Sequence, residues 1–178
     1  MIPFSYLALY ATQELGLSPA EYGFLLSFSA LGGLLGAFVA TRLRRRLGYG
    51  WTIVAALSVG SMSFITISLT KNVVVVAIAL AAYIAHAVVW NIMAASVRQK
   101  ITPAAMMGRV GSMSRLLSLI GLGVGAALGG LLASGVGFLI PFAVAGGLFA
   151  VAAVMCAVQI RMFRAWEAEQ APVAAEAG

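Results

Sequence analysis

The 178-residue chain has no aspartate, and its five acidic residues are all glutamates; it has one histidine and one cysteine. These shortages exclude several kinds of chemistry. A lone Cys156 and a lone His86 cannot make a zinc site or a disulfide within the chain. There is no G-x-S-x-G nucleophile elbow, and no carboxylate lies inside an apolar run beyond its first helical turn. We therefore expect no enzyme, no metal and no cofactor. Charge of either sign is scarce too, at 9% of residues against 62% hydrophobic, whereas soluble domains carry roughly 25% charged residues. With a mean hydropathy of +1.04, a soluble globule is excluded. The opening MIPFSYLALYA lacks a basic start and a small-residue cleavage site, so no signal peptide is expected.

What the chain does have is long apolar runs. Crossing a hydrocarbon core of about 30 Å takes about 20 mainly apolar residues as a helix, and five runs meet that requirement. The first run, 1–12, does not, since it would rise only about 18 Å; it reads as a truncated span. Gly16-Leu17-Ser18-Pro19-Ala20-Glu21 is a turn and helix start, with Ser18 as N-cap, Pro19 at the first helical position and Glu21 three residues past the cap. The second run is 19–41. The third, 51–70, ends at Lys71-Asn72, and the fourth is 73–97. Thr102-Pro103 repeats the cap-then-proline start before the fifth, 110–133. A Ser134-Gly135 turn leads to the sixth, which ends near Arg161. We expect an all-α polytopic transmembrane bundle of about six spans over 1–161, and a cytoplasmic tail at 162–178 that frays into disorder.

The net charge of +6 is gathered in clusters, without the aromatic interleaving of a nucleic-acid surface, and the lipid bilayer is the expected partner instead. If the runs alternate in direction, Arg42, Arg44, Arg45, Arg46, Arg98, Lys100, Arg109, Arg115, Arg161 and Arg164 fall on one side. Lys71 alone falls on the other. Basic residues near spans are retained in the cytoplasm, which places the C-terminus there. A second regularity is a pair of small-residue stripes, Gly32/Gly36/Ala40 and Gly121/Gly125/Gly129, at a spacing that lets helix backbones approach closely. They occupy matching positions if the runs form two inverted three-helix repeats, a signature of secondary transporters.

Particular stretches resemble a known family. GAFVATRLRRRLGYG (36–50) resembles the cytoplasmic loop between the second and third helices of each half of major facilitator superfamily transporters. Thr41, Arg45, Arg46 and Gly48 stand where that pattern has a glycine, an acid, an arginine and a glycine. The replaced glycine and acid imply the more degenerate C-terminal half. WNIMAASVRQKITPAAMMGRV (90–110) with LGVGAALGGLLA (122–133) resembles the tenth and eleventh helices of the bacterial exporter branch that includes macrolide and siderophore efflux proteins. LYATQELGLSPAEYG (9–23) resembles the end of its seventh helix.

The resemblance implies the C-terminal six-helix half of an exporter of small amphipathic molecules, working by alternating access in a bacterial inner membrane. Its partner would be an N-terminal half or a second copy of this chain. Its glycine stripes would be the surfaces that dock on that partner, and Arg42, Arg45, Arg46 and Gly48 its loop motif. The alternative, favoured by the short first run, is a membrane fragment or assembly subunit with the same fold and no transport cycle.

Polar residues within spans are functional candidates by default. Tyr6, Tyr10 and Gln13 share one face of the first run; Tyr83, His86 and Trp90 share one face of the fourth. In the family these two helices line the central cavity, so these six are the expected substrate-contacting residues. An aromatic wall with a few hydrogen-bonding tips suits bulky amphipathic molecules. If transport is proton-coupled, as in an antiporter, the titrating group is His86 or lies in the other half. Asn91, on a different face from His86, is expected to bond between helices. The serines of the third run are expected to bond back to their own helix.

Overall fold

The computed structural model describes residues 7–136 and 139–176. Its helices are α1 (Leu7–Gln13), α2 (Pro19–Leu69), α3 (Val73–Ile101), α4 (Met107–Val136), α5 (Leu139–Val158) and α6 (Ile160–Glu176), with a 3-10 turn at Ala104–Met106. No strand occurs among the described residues.

The organising element is α2. As a straight rod its 51 residues would run about 76 Å, more than twice the thickness of a hydrocarbon core. It is not straight, because Gly48 leaves the helical region at φ 77° and ψ 178°. The neighbours of the two arms show how sharply it turns. In the first arm, 19–47, Gly32 faces Ala81 and Gly36 faces Ala85, so it runs parallel to α3. In the second arm, Gly60 faces His86 and Phe64 meets Tyr83, so 49–69 runs antiparallel to α3. α2 therefore doubles back at Gly48. By the same reasoning α5 is antiparallel to the second arm, with Gly146 against Ser61 and Ile65, and Gly50 at the opposite end against Ile160 and Phe163.

Chain direction thus alternates along the fold, and the two ends of the bundle differ in chemistry. At one end, the Tyr10 hydroxyl donates to the Thr70 carbonyl over 3.2 Å, its ring meets Phe142 edge-on at 5.1 Å, and Lys71 pairs with Glu14. The Ser18–Glu21 capping box starts α2 here, and Asn72 caps α3 by accepting from the amides of Val74 and Val75. The other end holds the Gly48 corner, the end of α3, the start of α4 and the junction of α5 with α6. All ten clustered basic residues belong to that end.

Two cores fill the bundle. Leu7, Tyr10, Phe64, Tyr83 and Phe142 pack toward the first end, and Ala40, Tyr49, Leu57, Met93 and Ala153 toward the second. The outer surface is apolar, with Phe24, Leu34, Leu35, Leu69, Val74 and Leu131 all exposed. Among the described residues, four helices are long and apolar enough to cross a membrane, and the bend in α2 gives that helix two arms. Within a membrane such surfaces face acyl chains, and the backbone groups of the spans pair within their own helices except at the helix ends and the Gly48 break.

Several expectations are corrected. The arginine stretch 42–46 is helical, not a loop; the chain turns only at Gly48, where a left-handed glycine allows it. The Gly32/Gly36/Ala40 stripe is not a free docking surface, because all three residues are buried against α3. A Cβ on Gly32 would lie 1.9 Å from the Ala81 carbonyl oxygen, and one on Gly36 would lie 2.5 Å from that of Ala85. The close approach is real, but the helix making it belongs to the same chain. Ser134 and Gly135 do not end α4, which continues to Val136. Pro103 precedes the 3-10 turn without a side-chain cap. Residues 162–176 are helical where fraying was expected. Ser58, Ser63 and Ser68 bond to their own helix, whereas Ser61 crosses to the Gly146 carbonyl at 2.8 Å.

Candidate functional site

α3 is rich in β-branched and alanine residues and carries few polar ones, so the exceptions are easily placed. Tyr83, His86 and Trp90, spaced over two turns, line one cavity of about 560 Å³ between α3, the second arm of α2 and α5. Its other walls include Leu57, Phe64, Phe149 and Cys156. The rings form a continuous surface: Phe64 to Tyr83 at 4.4 Å, Tyr83 to His86 at 5.2 Å, and His86 to Phe149 at 4.9 Å and nearly perpendicular. The edge-to-face contact of His86 with Phe149 favours a fixed arrangement of those two rings. Trp90, 37% exposed, stands at the rim.

His86 is the unusual member. It is 5% exposed, and neither ring nitrogen has a hydrogen-bond partner. Its neighbours explain why. A Cβ on Gly60 would come within 2.6 Å of Nε2, so the second arm offers the imidazole a glycine-shaped space and no acceptor. Leaving a buried polar group unsatisfied costs about 1–3 kcal/mol, which makes His86 the first candidate for a functional position among the described residues.

Of the remaining expected site residues, Tyr10 and Gln13 are not brought to this cavity. Tyr10 is fully buried in the first core, with its hydroxyl committed to Thr70. Gln13 is exposed at the last turn of α1. Tyr6 lies outside the described residues. Asn91 does not bridge helices: its side-chain amide donates to the Ala87 carbonyl of its own helix at 2.8 Å, beside the cavity wall. Sequence reasoning also missed Gly60, Phe149 and Cys156. Gly60 had no signal to separate it from other glycines of the apolar runs, and Phe149 and Cys156 come to line the same cavity as His86 only because α3 and α5 both pack on the second arm of α2.

A second cluster sits at the basic end. Gly48 is held in the left-handed region, and a Cβ there would come within 2.6 Å of the Glu167 carboxylate. That carboxylate accepts from the Tyr49 amide, one of the first amides after the break and without a carbonyl one turn earlier. Trp166 meets Tyr49 edge-on at 5.7 Å. The Lys100 ammonium lies 5.4 Å from the Tyr49 ring and 6.0 Å from that of Trp166, and Arg44 lies 5.3 Å from the Tyr49 ring. These contacts hold α6 in place. Their sequence signal is Phe163, Trp166 and Glu167, spaced to share one helical face. Arg98 donates to the Ser114 hydroxyl at 3.0 Å, tying α3 to α4.

The apolar exterior, alternating chain directions and segregated basic end define a multi-pass helical membrane protein. The sequence model of the Major Facilitator Superfamily matches residues 1–175. The chain belongs to that superfamily, whose members are membrane transporters. No curated protein and no solved structure matches it.

Proposed function

We propose that the chain forms one half of a secondary active transporter that exports small amphipathic molecules across a bacterial inner membrane by alternating access. The observation that carries this reading is the aromatic cavity around His86: a concave, mostly apolar wall with one unsatisfied polar group fits a bulky ligand that presents a single hydrogen-bonding function. The other half is an N-terminal half or a second copy. It docks on α4, the most exposed of the long helices, where Gly121 has open space beside it. Gly121, Gly125 and Gly129 are the small positions of that surface; the stripe on α2 has no part in it.

The test is reconstitution. Proteoliposomes holding the chain and an N-terminal exporter half are loaded with ATP-independent gradients and a panel of fluorescent amphipathic dyes. Gradient-dependent dye movement above that of the chain alone is the expected result. Both halves inserting without movement of any dye would count against transport by this assembly.

In the same reading the basic end faces the cytoplasm. Changing Arg42, Arg44, Arg45 and Arg46 together to glutamate removes four of the ten basic residues that set this orientation. A reporter fused after residue 178 is expected to shift from fully cytoplasmic to mixed orientation. An unchanged reporter would show that these arginines do not set the topology.

A further inference from the structure

The four arginines before Gly48 do not share one environment. Arg44 turns toward Tyr49, its guanidinium donating to the tyrosine hydroxyl over 3.4 Å. Arg42 and Arg45 turn away and, with Ala37, Phe38 and Thr41, line a separate cleft of about 360 Å³ on the outer face of the first arm. The Arg42 guanidinium lies 4.0 Å above the Phe38 ring and reaches the Phe38 carbonyl at 3.4 Å. Its long side chain is thereby laid along the helix with its charge at the cleft. Among the described residues the one ion pair is Lys71–Glu14, at the opposite end. Arg42 and Arg45 are thus charged, adjacent and without a carboxylate, at the margin of an apolar surface on which Phe38 is 66% exposed.

We propose that this cleft seats an anionic phospholipid, its phosphate on Arg42 and Arg45 and its upper acyl chain along Ala37 and Phe38. The chemistry is complementary at both levels. Guanidinium groups form charge-assisted hydrogen bonds to phosphate oxygens, and each basic residue near an anionic leaflet adds about a factor of five to its attraction. The apolar floor distinguishes a lipid from a free phosphate, which would leave Ala37 and Phe38 uncovered. Arg45 in particular makes the cleft selective for an anion over a zwitterionic headgroup, since no acid stands in the cleft to receive an amine.

Native mass spectrometry of the full chain released from detergent tests this with phosphatidylglycerol and phosphatidylcholine as probes. The unaltered chain is expected to retain phosphatidylglycerol preferentially, a comparison that depends on no variant folding. R42Q/R45Q is expected to lower that retention at least about tenfold through loss of two charge-assisted hydrogen bonds, R42K/R45K to keep most of it, and R161Q/R164Q, with the same loss of charge elsewhere at this end, to lower it far less. Glycerol 3-phosphate is expected not to displace the lipid. Equal retention of both lipids, an equal loss in the two glutamine pairs, or displacement by glycerol 3-phosphate would each overturn the proposal.

Discussion

Gly32→Leu is expected to prevent the bundle from closing. A single added Cβ would already lie 1.9 Å from the Ala81 carbonyl oxygen and 2.6 Å from its carbon, and both atoms belong to a helix backbone that cannot rotate aside. Overpacking costs about 1–3 kcal/mol when side chains can yield. Here the first arm of α2 must separate from α3 instead, so even Gly32→Ala should cost about 3 kcal/mol or more. Without a hydrophobic driving force between helices in lipid, close van der Waals contact is what holds this seam, and its loss is not offset elsewhere. Thermal unfolding of the purified chain in detergent checks this. Gly32→Leu should lose its cooperative transition or fail to accumulate, whereas Gly121→Leu, at a position with open space around it, should stay within about 0.5 kcal/mol of the parent. Matching transitions for the two variants would mean that the α2–α3 seam is not built as described.

That contrast also shows where sequence reading stops. The two glycine stripes look alike as strings, and each correctly announces close helix approach. Which helix approaches is a property of the packed bundle: α3 fills the stripe on α2, while Gly121 on α4 remains open. The apolar runs, the Ser18–Glu21 cap and the gathering of basic residues were legible because each depends on local spacing or on a sum over many residues. The arginine stretch reads as a loop because charge is a poor guide to helix ends; the break depends on the backbone conformation of Gly48. The start of α6 is not legible locally because Trp166 and Glu167 are held by contacts with Tyr49 and Lys100, residues 60 or more positions away. Within the site, the i, i+3, i+7 spacing placed Tyr83, His86 and Trp90 on one face. It could not reveal that Tyr10 is committed to Thr70, nor that Gly60 shapes the space for the imidazole.

His86→Leu separates stability from function, because the two should move in opposite directions. If His86 made the hydrogen bond to a neighbouring helix usual for a buried imidazole, leucine would destabilise the bundle. With both nitrogens unpartnered, the substitution keeps a similar volume, loses no hydrogen bond and removes a buried unsatisfied group. The melting transition in detergent is therefore expected to rise, by about 1–3 kcal/mol in stability. Dye movement by the reconstituted assembly should fall at least about tenfold, since a ligand hydrogen bond to a buried polar site contributes more than about 1.4 kcal/mol. Gly60→Ala provides the complementary perturbation: its methyl group would displace the ring from its seat, lowering stability and dye movement together while the imidazole itself is retained. A stabilised His86→Leu that still moves dye at the parental rate would assign the cavity to packing alone. A destabilised His86→Leu would mean that the imidazole has a partner in the membrane-embedded protein, and the site would have to be rebuilt around that bond.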